Sequence, residues 1–196
     1  MFLWRVCLAS LLWSLIFSLK FDWYHLLVQQ QHLSSKSLEL LEGLGERLPC
    51  SREQSPCFRF PQNIASVLKY SEIKAAMLPT LYEILHHILK IYNEEESKMP
   101  WDRTQLEHFT TVLHWQNTEL KKYLSVQLPA SALGSHRKNS LKVKKFFEKL
   151  RKYLKTKDYS GCAWEAVRDE TQQCLQYIYS YVSSANPLVV TVKQRS

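Results

Sequence analysis

Apolar residues recur at three- and four-residue intervals in five stretches of this chain, separated by segments rich in proline, glycine and charge. That interval is one face of an α-helix. The first stretch, about Phe21 to Leu44, aligns Leu26, Leu33, Leu40, Leu41 and Leu44 and stops at Gly43 and Gly45, as helices commonly do. The second, about Ser71 to Tyr92, carries Ile73, Ala76, Met77, Leu81, Ile84, Leu85, Ile88 and Ile91, with Pro79 inside it as an expected kink. The third opens on Asp102 with Gln105, the spacing of a capping box, and runs to about Leu124 on Leu106, Phe109, Leu113, Gln116, Leu120 and Tyr123. The fourth, about Ser140 to Lys155, buries Val143, Phe146, Phe147, Leu150, Tyr153 and Leu154 and turns a lysine-rich face outward. The fifth starts after Ser160, a good N-cap, and runs to about Ser183 on Trp164, Val167, Thr171, Cys174, Leu175, Ile178 and Val182.

Two connections are long: Glu46 to about Asn63, with three prolines and two cysteines, and Ser125 to Lys138. Long crossovers are what a bundle needs when consecutive helices run parallel, as in helical cytokines. The expected fold is therefore all-α, a five-helix cytokine bundle of the four-helical type with long crossover loops.

Residues 2–18 change the reading of the N-terminus, with one charge, Arg5, and then an apolar run ending at Ser18. This is the pattern of a secretory signal peptide. An uncleaved anchor is the competing reading, but a spanning helix wants about 20 apolar residues and this run is shorter. The expected organisation is a signal peptide over 1–18 and one helical domain over 19–196, secreted, with no stable membrane insertion. Cleavage removes Arg5 and Cys7, which takes the net charge of +8 to 8 − 1 = +7 and leaves Cys50, Cys57, Cys162 and Cys174. Four cysteines in a secreted chain suggest disulfides, and their spacing leaves three pairings open. The basic balance favours acidic partners outside the cell, sulfated glycans or an acidic receptor face; export argues against nucleic acid.

Catalytic chemistry finds no foothold. The four glycines belong to helix ends and loops, so no phosphate-cradling loop is expected. No Ser-His-Asp context occurs, and His86, His87, His108 and His114 lack metal-ligand spacing. Asn117-Thr-Glu and Asn139-Ser-Leu both fail the N-glycosylation rule. A non-enzymatic protein without cofactor or metal is expected.

The stretch Tyr159-Ser-Gly-Cys-Ala-Trp-Glu-Ala-Val-Arg168 resembles the start of the last helix in type I interferons. The basic segment Leu141 to Lys155 is similar to the family's preceding helix, and Phe60-Pro61-Gln62 resembles an element of its first long loop. Leu78-Pro-Thr-Leu-Tyr-Glu83 and Trp101-Asp102 resemble its second and third helices. The alpha-type cysteines at the mature N-terminus and in the third helix are missing together, while Cys174 is similar to the extra last-helix cysteine of interferons epsilon and kappa.

The resemblance implies a bridge between Cys50 and Cys162. Cys57–Cys174 is a possible second one, with a buried free thiol at Cys174 as the equal alternative. It also implies that Arg52 together with Glu165, Arg168, Asp169, Gln172, Gln173 and Gln176 forms the surface for the high-affinity chain of the type I interferon receptor. Asp169, Gln172 and Gln173 depart from the family's residues there. Positions near Lys90, Thr110, His114 and Lys144 correspond to the surface for the other chain, against the plain alternative of ordinary solvated residues. The implied function is a monomeric, secreted cytokine that joins both receptor chains and triggers antiviral gene expression. The alternative is a basic host-defence protein that binds glycans, heparan sulfate among them, or membranes through the Lys142–Lys152 face.

Overall fold

In the computed structural model, the described residues are 23–50, 58, 60–61, 78–94, 98–127 and 133–185. They form five helices and no strand: α1 over 23–42, α2 over Leu78–Glu94, α3 over Arg103–Gln127, α4 over Leu133–Thr156 and α5 over Gly161–Ala185. The expected signal peptide and the 71–77 part of the second stretch lie outside these residues.

The helix ends follow local chemistry. Asp102 Oδ1 accepts the Gln105 backbone N–H at 3.1 Å, which caps α3 as its sequence predicts. The Ser160 carbonyl receives Trp164 N–H at 3.0 Å and opens α5. Pro79 is the second residue of the described α2 and is buried, and the kink expected there rests on residues 71–77, outside the described ones. The expected loop from Ser125 to Lys138 is a correction: α3 runs on to Gln127 and α4 already begins at Leu133. Gly134 sits at a helix end, where its helix-weakening effect is small.

The α2 helix packs against α3, α4 and α5, and α4 against α5. The apolar stripes meet in one core: Leu26 and Leu41 of α1 with Leu44 just after it, Leu81, Ile84, Leu85, Ile88 and Ile91 of α2, Phe109 and Leu113 of α3, Phe147 and Leu150 of α4, and Trp164, Val167, Leu175, Ile178 and Val182 of α5 are all buried. Tyr92, Phe109, Trp101 and Trp164 form an aromatic cluster with ring centroids 5.1 to 6.1 Å apart. Trp164 Nε1 donates to the Lys98 carbonyl at 2.9 Å, so its one polar atom is satisfied. Gln116, on the apolar stripe of α3, is satisfied only in part: its side-chain N–H donates to Ser34 Oγ at 2.7 Å and its backbone carbonyl accepts from Gln30 Nε2 at 3.2 Å, while its side-chain oxygen is buried without a partner. These contacts join α1 to α3.

Candidate functional site

The connection leaving α1 is pinned to the start of α5 by a disulfide. Cys50 and Cys162 are bonded with Cα atoms 5.6 Å apart and 112 residues of sequence separation. The pairing implied by the family resemblance is therefore formed. Closing a loop of that length restricts the unfolded chain by up to about 4–5 kcal/mol in the entropy model. The second bridge is not: Cys174 is a free thiol, fully buried in the core. Burial pushes its pKa well up, because a thiolate there would lose its hydration. Cys57 lies outside the described residues, as does Arg52.

Arg168 is not a surface residue. Its side chain is fully buried and reaches back to the C-terminus of α1. There Nε donates to the Leu41 carbonyl at 3.0 Å, Nη2 to that of Glu42 at 2.6 Å, and Nη1 to that of Gly45 at 3.2 Å. These oxygens have no intrahelical donor, and a guanidinium at a helix C-terminus also meets the negative end of its dipole. Arg168 further lies over the Trp101 ring, 5.7 Å from its centroid, and contacts Glu165 Oε1 at 3.4 Å. Glu165 is buried too. Both residues belong to the joint between α1 and α5 and are withdrawn from solvent. At 100° per residue, Arg168 falls 40° from Trp164 and 20° from Leu175, on the flank of the apolar stripe, and it is the end of α1 lying along that flank that buries it.

What remains exposed beside that joint is polar. Asp169, Gln173 and Gln176 face solvent and Gln172 is half-buried. Arg47, from the segment after α1, forms an ion pair with Asp169 and donates to Gln172 Oε1 at 2.8 Å. Gln172 in turn donates to Glu42 Oε1 at 3.0 Å. Arg47 and Glu42 escape a reading by helical faces because they reach α5 from more than 120 residues away in sequence. Leu48, 44% exposed, adds an apolar side chain next to Gly161.

The second set of expected residues divides. Thr110 and His114 line a groove of about 520 Å³ between α2 and α3, together with Leu89, Asn93 and Trp115. Trp115 is 54% exposed, an unusual position for the largest apolar side chain. His114 Nδ1 lies 3.2 Å from Thr118 Oγ1, and the Thr110 hydroxyl donates to the Leu106 carbonyl at 3.0 Å. Lys90 is outside the groove, 3.5 Å from Glu94 on its own helix. Lys144, on α4, lies 3.9 Å from Glu148. The structure thus brings Thr110 and His114 together and adds Trp115.

Two other groups are displaced from their usual protonation. His87, stacked on Phe147 at 5.4 Å, has its pKa lowered to about 4, first by burial and then by nearby cations beginning with His86. Glu170 is raised to about 7 by burial and by the neighbouring Asp169 carboxylate. Among the described residues no cluster of three or more His, Cys, Asp or Glu is placed to hold a metal ion, and no helix is long and apolar enough to cross a membrane.

Comparison with known proteins bears directly on this arrangement. The interferon alpha/beta domain family matches residues 26–184. Interferon omega-2 of Equus caballus is 38% identical over 131 residues, 66% of this chain and 63% of its own length. Interferon omega-1 of Homo sapiens is 34% identical over 147 residues, 73% of each chain. Interferon epsilon of Homo sapiens is 31% identical over 182 residues, covering 89% of this chain and 82% of its own. Among solved structures, zebrafish interferon 1 superposes with a TM-score of 0.69 at 25% identity, covering 82% of this chain and 99% of the other. A family match running from the first helix to the last, on a fold shared with a solved interferon, leads to one conclusion: this chain belongs to the type I interferon family.

Proposed function

We propose that this protein is a secreted ligand that binds both chains of the type I interferon receptor and, by holding them together, starts the signalling that turns on antiviral genes. The family match across residues 26–184 carries this reading. No bond is made or broken on the cytokine, and its residues act through shape and charge. Two exposed surfaces on different helices support the assignment. One is the polar patch of Arg47, Asp169, Gln172, Gln173 and Gln176 on the α1–α5 side, assigned here to the high-affinity chain. The other is the groove around Thr110, His114 and Trp115 on the α2–α3 side, assigned to the second chain. A half-exposed tryptophan beside a groove is the kind of residue that dominates binding energy once covered.

The test is an interferon-responsive reporter in cells of the source species, treated with protein expressed from Leu19, with and without an antibody that blocks the receptor. Induction that the antibody abolishes is expected. Trp115→Ala should lower potency at least ten-fold while leaving the melting temperature within about 2 °C, since little packing is lost at an exposed site. Absence of induction by a folded, disulfide-intact sample sinks the proposal, as does induction that persists under the block.

A further inference from the structure

The outward face of α4 carries a line of cations that the bundle does not use. Val143, Phe146, Phe147, Leu150 and Leu154 are buried, which fixes the rotation of the helix. At 100° per residue, Lys142, Lys145, Lys149 and Lys152 then fall within an arc of about 80° and span about 15 Å along the axis. Lys145, Lys149 and Lys152 are exposed and Lys142 is half-buried. The acidic groups nearby are committed elsewhere: Glu148 lies 3.9 Å from Lys144, and Glu94, on α2, is shared between Arg151 at 3.3 Å and Lys90 at 3.5 Å. Among the described residues, none of the four lysines of the line has a carboxylate partner within 4.0 Å.

From this we propose that α4 is a docking surface for an extended sulfated glycan, whose sulfate groups lie along Lys142, Lys145, Lys149 and Lys152. Linear charge complementarity is the argument. Four like charges at three- and four-residue steps repel one another and gain nothing from the fold, whereas a polyanion running along the helix meets all four. The competing polyanions fit less well. A lipid surface would require an apolar face beside the cations, and there α4 exposes a single large apolar side chain, Leu141, the rest of its apolar stripe being buried in the core. Nucleic acid is read by arginine forks and stacked on exposed aromatic rings. The line is all lysine, Phe146 and Phe147 are buried, and Tyr153 is half-buried with its ring against Phe58 at 5.1 Å.

The experiment measures binding of the full folded protein to immobilised heparin by surface plasmon resonance. Four charges neutralised on a flexible polyanion correspond to a log–log salt slope of about −3, so affinity should fall roughly thirty-fold between about 150 and 500 mM salt. A Lys145→Gln, Lys149→Gln, Lys152→Gln triple variant should lose at least ten-fold. A control variant with the same charge loss on α1 and α3 (Lys36→Gln, Arg103→Gln, Lys121→Gln) should lose less than three-fold. Desulfated heparin should not compete. Equal losses in the two variants would overturn the proposal in favour of undirected net charge. Displacement by single-stranded DNA as effective as by heparin would overturn the assignment to a glycan. Reporter activity in cells lacking sulfated glycans keeps this outcome separate from receptor binding.

Discussion

Replacing Arg168 with alanine should damage the fold before it damages recognition. In the structure its guanidinium donates to three carbonyl oxygens at the end of α1 and contacts the buried carboxylate of Glu165. Truncation leaves the Leu41 oxygen with only the long 3.4 Å bond from the Leu44 N–H, a loss of at most about 1–3 kcal/mol. It also leaves Glu165 facing a cavity with only Arg47, at 3.8 Å, as a cation, so the loss is at most about 3–5 kcal/mol, the cost of breaking a buried pair from one side. The carbonyls of Glu42 and Gly45 belong to exposed residues, so water can replace part of what they lose. The contributions overlap, and a net loss of about 4 kcal/mol is expected. That is a large share of the roughly 5–15 kcal/mol by which domains are stable. Urea unfolding followed by circular dichroism should show a midpoint lowered by roughly 2 M, taking a slope of about 2 kcal/mol/M. Arg168→Lys should recover only part of this, because one ammonium cannot reproduce the fork that spans Leu41, Glu42 and Gly45. The double variant Arg168→Ala, Glu165→Gln should be less damaged than the sum of the singles. Receptor potency per folded molecule should stay within about three-fold at low temperature. A stability loss under about 1 kcal/mol with a ten-fold loss of potency would refute the burial of Arg168 and return it to the receptor surface.

Two further predictions concern buried groups. His87, at about 4 in the fold against 6.5 unfolded, contributes stability that is complete above pH 6.5 and lost as pH falls toward 4, up to roughly 3 kcal/mol. Glu170, at about 7 against 4.5, contributes stability that is complete below pH 4.5 and lost as pH rises through 7, by a similar amount. The two oppose each other between pH 4.5 and 6.5. Glu170→Gln should therefore gain on the wild type as pH is raised from 4.5 to 7, and a difference independent of pH in urea titrations would contradict the burial of that carboxyl. Cys174 should resist alkylation in the native state and label only on unfolding, read by mass spectrometry of its peptide. Cys50→Ser, Cys162→Ser should lower stability by about 2–4 kcal/mol, and fast native labelling of Cys174 would show that α5 does not pack as described.

The elements of this protein are local in origin, and so they could be read from the chain. Intervals of three and four placed Leu81, Ile84, Phe109, Phe147, Leu175 and Ile178 inside, and all are buried. Asp102 with Gln105 announced the start of α3. Boundaries were poorer where the signal is weak: Gly134 and the serines between Ser125 and Lys138 suggested a loop because their propensities are low, yet the helix begins at Leu133 and includes Gly134 and Ser135. Only the tertiary structure decided which polar residues of α5 reach water. A helical wheel orders side chains around one axis, and it cannot say how wide an arc the neighbours cover. Here the end of α1 lies along one flank, its following segment held by Cys50–Cys162, and takes Arg168 and Glu165 into the interior. Arg47 and Glu42 complete the outer patch through the same long-range path. Burial of a polar group depends on partners brought from a distant part of the chain, and no periodicity within one helix contains them.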